Sequence, residues 1–368
     1  MAKNSIKALL VATFSLFMVL FCNISIAQEI PAPNIEQHNS DKKEEKLDPS
    51  KIIMEHIKDS HEFHFFSIGD FHATIPLPII LYSKEKGIEV FSSSHFGKEG
   101  QDIYNGYGLD ENQKITSSDG TVVYDLSITK NVMQMFIALT LLVWVMTTVA
   151  NKGKAGGSKI APSGLQNAIE PIITFIRDDV AKPNLGKKAD KYLPYLLTVF
   201  FFILINSLVG LVPGSANVTG NIAFTAVLGI ISLIVILFST NRHFWGHIFW
   251  PPGVPFLVKL ILIPIELAGV LLIKPAALII RLFANMVAGH IVILSFIVLI
   301  FIFGAMATAA GYGFSPLSVA FAVFIYLIEI LVAFIQAYIF ANLTAVFIGQ
   351  SLEGGHGEGN GHDDPIIA

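Results

Sequence analysis

The stretch Lys274-Pro275-Ala-Ala-Leu-Ile-Ile-Arg281-Leu-Phe-Ala-Asn285-Met-Val-Ala-Gly289-His290 sets one permanent cation inside apolar sequence. Across residues 254–310 the only formally charged side chains are Lys259, Glu266, Lys274 and Arg281, so Arg281 stands near the middle of a membrane-type segment. A central arginine costs roughly 2.5–3.5 kcal/mol on insertion scales, which makes it a functional-site hypothesis facing protein or water. At about 100° per residue, Ala277, Ala284, Asn285 and Ala288 share its side of a helix, while His290, nine positions on, falls opposite. One face is therefore lined with small residues that allow close approach. The other carries a group that titrates near neutral pH. A buried structural ion pair between Arg281 and Glu329 is the competing reading.

The whole chain fits that solvent. Its 368 residues are 53% hydrophobic and 14% charged, the balance of a polytopic membrane protein. A net charge of -4 without a basic stripe excludes a nucleic-acid partner. Residues 1–27 read as a cleaved signal peptide: Lys3 and Lys7, an apolar run, then Ser25-Ile26-Ala27. Cleavage would remove Cys22, the single cysteine, although an uncleaved first span is the alternative. Residues 28–125 should form an exported linker followed by a small β-rich extension, with strand-like runs at 73–82 and 87–91. His56, His61, His64, His72 and His95 lack tight ligand spacing and read as surface or packing histidines, so no metal and no cofactor is expected.

Residues 126–350 form the membrane domain, ahead of a disordered tail at 351–368. About 20 apolar residues cross ~30 Å of hydrocarbon, and spans fall at 132–150, 193–212 and 220–239. The block 254–310 is too long for one upright crossing. Pro264 and Pro275 should interrupt it into an approach segment and a long tilted helix. A turn at Gly311-Tyr-Gly-Phe-Ser-Pro316 should lead into a last helix at 317–348. The fold class is thus all-α and polytopic: about five crossings, a tilted C-terminal helix pair and a β-rich N-terminal region. The loop 151–192 holds eight lysines and arginines, which places it in the cytoplasm, with the N-terminus outside and the C-terminus inside. Within it, Leu165, Ile169, Ile172, Ile173 and Ile176 repeat at helical spacing, as in an interfacial helix.

In the last helix, Glu329 and Gln336 are seven positions apart and share a face. Across an antiparallel neighbour, Glu329 and His290 would form a proton-exchanging pair, with Gln336 toward Arg281. Arg281 to His290, preceded by Lys274-Pro275 and followed by Glu329 and Gln336, resembles subunit a of the F-type ATP synthases. That resemblance covers most of residues 125–350. It implies that Arg281 faces a rotating ring of subunit c, and it assigns supporting roles to Asn285 one turn on and to Gln336. Many bacterial members carry glutamate at the His290 position and histidine at the Glu329 position. The exchanged order here is similar to mitochondrial members.

The implied function is a non-catalytic stator in a bacterial inner membrane, conducting protons through two half-channels past His290, Glu329 and, less centrally, Glu266. Implied partners are the ring of subunit c, subunit b of the peripheral stalk, the remaining synthase subunits and lipid. The alternative is a secondary transporter that binds an anion at Arg281, against which the absence of an internal repeat counts.

Overall fold

The computed structural model describes residues 59–353, apart from 69–70, 85, 97–102, 111–113, 157–162, 213, 241 and 250–254. The expected signal peptide, most of the expected polar linker, His56 and the expected tail beyond residue 353 lie outside the described residues.

The β-rich extension forms as expected. Strands β1 (Glu62–Ile68) and β2 (Phe71–Pro76) pair antiparallel. A three-stranded sheet has the order β4-β3-β7, built from β3 (Pro78–Ser83), β4 (Gly87–Ser92) and β7 (Val123–Asp125). Strands β5 (Tyr107–Leu109) and β6 (Ile115–Ser117) make a further pair. The run expected at 73–82 is two strands, because Pro76 and Pro78 withhold the N–H groups a continuous ladder needs. Ile79, Leu81, Phe96, Tyr107, Ile115 and Val123 form the buried core beneath the sheet.

Helix α1 (Lys130–Gly156) follows directly, and residues before the sheet cap it. The Lys130 N–H donates to Ser60 O at 2.8 Å, and the Asn131 N–H donates to the Asp59 carboxylate at 3.1 Å. Helix N-termini present such unpaired donors and favour a nearby anion. His61 Nε2 and Asp125 Oδ2, 2.9 Å apart, tie the beginning of the extension to its last strand. His95 lies with its ring centroid 4.3 Å from that of Tyr104.

The remaining helices are α2 (Leu165–Phe175), α3 (Lys182–Leu185), α4 (Ala189–Gly210), α5 (Ile222–Ser239), α6 (Arg242–Phe249), α7 (Phe256–Ala268), α8 (Lys274–Met306) and α9 (Thr308–Glu353). Five helical stretches are long and apolar enough to cross a membrane: Lys130–Lys154, Leu165–Gly210, Ile222–Ser239, Val258–Met306 and Gly311–Leu352. At 46 residues, α9 is about 69 Å long, more than twice the hydrocarbon thickness.

Two expectations about breaks are corrected. Pro264 sits inside α7, and Pro275 does not end the helix. A wide π turn, Gly269–Ile273, carries the chain between them, and the Lys274 N–H bonds to Gly269 O, five residues back. Widening accommodates the proline, which has no N–H for the regular ladder. The expected turn at 311–316 is also helical; the break is at Ala307. Gly311 serves contact rather than turning, since a Cβ there would stand 2.7 Å from the Gly304 Cα. Ser315 Oγ donates to Gly311 O at 2.8 Å just ahead of Pro316, within the continuous helix.

The chain divides into two compact units. Of the described residues, the first contains those within 59–146, 202–227 and 280–336; the second contains those within 147–201, 228–279 and 337–353. Within the second, α2 keeps Leu165, Ile169, Ile172 and Ile173 half-buried and ends on buried Ile176, while Asn167 and Glu170 are exposed. Asn184 Nδ2 donates to Asn342 Oδ1 at 3.2 Å, and Gly349 packs against the Asn184 backbone. Lys274 Nζ donates to Gln350 Oε1 at 2.8 Å and stands 4.8 Å above the Phe347 ring.

Candidate functional site in the C-terminal helix pair

Helices α8 and α9 form an antiparallel hairpin about Ala307, and its contacts fix the register. Phe303 meets Phe314 at 4.6 Å between ring centroids, and Phe296 stacks on Phe321 at 5.4 Å. Ser318 Oγ donates to the Phe296 carbonyl. Farther down, Glu329 packs against Gly289. Carried onward, the same register sets Gln336 level with Arg281.

Helix α8 presents the two faces expected of it. Leu282, Met286 and Ile293 are buried along one side, whereas Arg281, Ala284, Asn285 and Ala288 are all exposed. Among the described residues no carboxylate forms an ion pair with Arg281, which counts against the structural-pair reading. The guanidinium therefore stands on an open strip of small side chains, where a partner surface can approach closely.

Glu329 and Gln336 are buried, at 5% and 3% exposure, although both are polar. His290 is half-buried with its Nε2 fully enclosed. Neither that nitrogen nor either Glu329 oxygen has a hydrogen-bond partner among the described residues, so the two side chains share no direct hydrogen bond. They are nevertheless neighbours in level. The Glu329 carboxyl lies on the backbone of Gly289, the residue before His290, with Cδ 2.6 Å from where a Cβ would be. Buried polar atoms without partners are rare because each costs about 1–3 kcal/mol, and three such atoms gather here.

Several contributors were not anticipated. Gly289 is one: a glycine inside a helix costs about 1 kcal/mol against alanine, a signal of a packing reason. The loop after α4 is another. Gln134 of α1, 1% exposed, bonds both the N–H and the carbonyl of Ala216. Asn217 accepts from the Gly220 N–H at 2.9 Å and donates to Met286 O at 3.4 Å, one turn from His290. Asn206 Oδ1 and Ser207 Oγ, both in the first unit, are also buried without partners among the described residues. Glu266 is exposed on α7, in the second unit. Among the described residues no three His, Cys, Asp or Glu side chains gather as metal ligands.

A family model described as ATP synthase A chain matches residues 132–349, more than half of the chain. A second, described only as a domain of unknown function, matches residues 52–134. ATP synthase subunit a of Chloroherpeton thalassium is 47% identical over 246 residues, 65% of this chain and 71% of that protein. The subunit a of a Chlorobium phaeobacteroides strain is 40% identical over 285 residues, covering 74% and 80%. That of Myxococcus xanthus is 41% identical over 256 residues, covering 66% and 78%. With the membrane half matched from α1 to the last turns of α9, the chain belongs to the family of ATP synthase subunit a.

Proposed function

We propose that this chain is the proton-translocating stator of an F-type ATP synthase, with Arg281 as the charge that faces a rotating ring of subunit c. The reading is carried by one observation: Arg281 stands exposed and without an ion pair among the described residues, on a strip of small side chains in a membrane-type helix. Arginine suits a barrier role because it does not deprotonate in proteins. A ring carboxylate arriving protonated would enter lipid cheaply; arriving charged, it would be stabilised by the guanidinium. Glu329 and His290 would carry protons from the outer compartment to the ring, through water that bridges their unpartnered atoms. Gln336 and Asn285 would hold the approach to Arg281, and Glu266 would contribute less centrally to the proton path. Each proton crossing ~100 mV supplies about 2.3 kcal/mol to rotation.

In this reading the chain is itself non-catalytic. It sits in a bacterial inner membrane, with the N-terminus outside and the C-terminus in the cytoplasm, and subunit b of the peripheral stalk holds it against rotation. Family membership decides against an anion transporter. The experiment is ATP-driven acidification of inverted vesicles carrying Arg281→Ala, with complex assembly measured in parallel. An assembled complex that no longer pumps is the expected result. Normal pumping would remove Arg281 from the mechanism.

A further inference from the structure

An antiparallel sheet that covers a core on one face normally turns polar side chains to water on the other. The β4-β3-β7 sheet does not. Ile79, Leu81 and Val123 point into the core. On the opposite face the register pairs Ile80 with Val90, and Tyr82 with both Ile88 and Tyr124. The Leu126 N–H donates to Ile80 O at 2.9 Å, which adds Leu126 to the first row. Two rows of three side chains result, Val90-Ile80-Leu126 and Ile88-Tyr82-Tyr124, with no charge between them. Ile88 is 71% exposed and Val90 65%, so among the described residues nothing covers this surface. Contiguous exposed apolar patches of this kind mark interaction sites rather than ordinary surface.

We propose that this face lies in the interfacial layer of the lipid bilayer, making the N-terminal extension a membrane-surface domain whose ligand is lipid. The first argument is continuity. The Ile128 N–H bonds to Pro78 O, α1 begins two residues later, and α1 in turn exposes the apolar side chains of Met133, Phe136 and Ile137. Leu126 is within about 14 Å of Lys130 even along a fully extended chain, so the sheet is held close to the membrane surface. The second is side-chain chemistry. Tyr82 and Tyr124 lie side by side, ring centroids 6.2 Å apart, and tyrosine is enriched where one end of the ring is apolar and the other wet. Exposed Lys84, in the turn beyond Tyr82, adds an ammonium suited to anionic headgroups. The third argument weighs against a protein partner. Protein interfaces carry about one hydrogen bond per 100–200 Å², whereas these rows offer only two hydroxyls.

The test places a nitroxide at single cysteines, Ile88→Cys, Val90→Cys and Tyr124→Cys, in a Cys22→Ser chain assembled in its whole complex. Ser118→Cys, exposed in the same extension, is the water-side control. The complex is reconstituted in phosphatidylcholine and phosphatidylglycerol vesicles. Collision with oxygen, which concentrates in hydrocarbon, is compared with collision with a water-soluble nickel chelate. The proposal expects the oxygen-to-nickel ratio at all three sheet positions to exceed that at Ser118→Cys several-fold. Nickel access equal to the control would overturn it in favour of open water. Access to neither reagent would overturn it in favour of a protein cover, from another subunit or a second copy. Because these side chains project outward and two strands are sampled, one poorly tolerated label leaves the others to decide.

Discussion

Replacing Gly289 by alanine tests whether the position of the Glu329 carboxyl matters to proton transfer. The added Cβ would overlap Glu329 Oε1 and stand 2.6 Å from Cδ and 3.1 Å from Cγ. Carbon atoms in contact prefer about 3.5–4.0 Å, so the carboxyl must retreat by about 1 Å. What moves is the far end of a flexible side chain, and the stability cost should therefore fall near the low end of the roughly 1–3 kcal/mol range for overpacking. The functional cost should be larger. A misplacement of about 1 Å can lower a transfer rate by about 100-fold when geometry is limiting. The assay is ATP-driven acidification in inverted vesicles, alongside the melting temperature of the purified complex. Strongly reduced pumping in a complex that assembles and melts nearly as wild type is expected. Unchanged pumping would refute the reasoning, since the carboxyl would then work equally well displaced. A complex that fails to assemble would show that Gly289 serves helix packing instead.

Three further outcomes follow from the geometry. The double exchange of His290→Glu with Glu329→His should retain more pumping than either single change, because the pair is kept at one level of the hairpin; equal loss in all three would separate the two residues functionally. Gln134→Leu would leave the Ala216 N–H and carbonyl buried without partners, at about 1–3 kcal/mol each, and should lower the melting temperature of the complex and raise hydrogen exchange over residues 214–220. Unaltered exchange there would show that Gln134 does not hold the loop. Burial pushes the Asp125 carboxyl up, yet the His61 hydrogen bond and charge and two bonds from Ser127 bring it below its ordinary value. Its folded value then lies below the unfolded one, about 3.9, so its stabilisation is complete above that pH and is lost as pH falls through the folded value. Asp125→Asn should weaken the extension by about 1.5–3 kcal/mol at neutral pH and blunt its loss of protection below about pH 4. Amide exchange of β3 and β7 across pH would reveal a variant that behaves as wild type and so dismiss the tie.

Much of the membrane half was legible because hydrocarbon imposes so few solutions. Five crossings, and a helix with Arg281 and His290 on opposite faces, follow from segment length and a period of 3.6 residues. The helix ends did not follow. Prolines 264, 275 and 316 and glycines 311 and 313 are breakers by local propensity, but in apolar surroundings a helix that stops leaves backbone groups unpaired. The chain therefore bulges at Gly269–Ile273 and continues through Pro316 rather than ending. In the extension the error ran the other way, since Pro76 and Pro78 do divide a strand whose ladder cannot spare their N–H groups.

The sequence by itself determined the solvent of this chain and the chemistry within it: apolar segments that must be helical, and an arginine, a histidine, a glutamate and a glutamine too polar to be there without purpose. Only the tertiary structure decided which of them meet. Register is a property of two helices, set by Gly304 on Gly311 and by phenylalanine pairs along the hairpin. That register brings Glu329 onto Gly289 and leaves the Arg281 face open, and no local preference along one strand of chain could have chosen it.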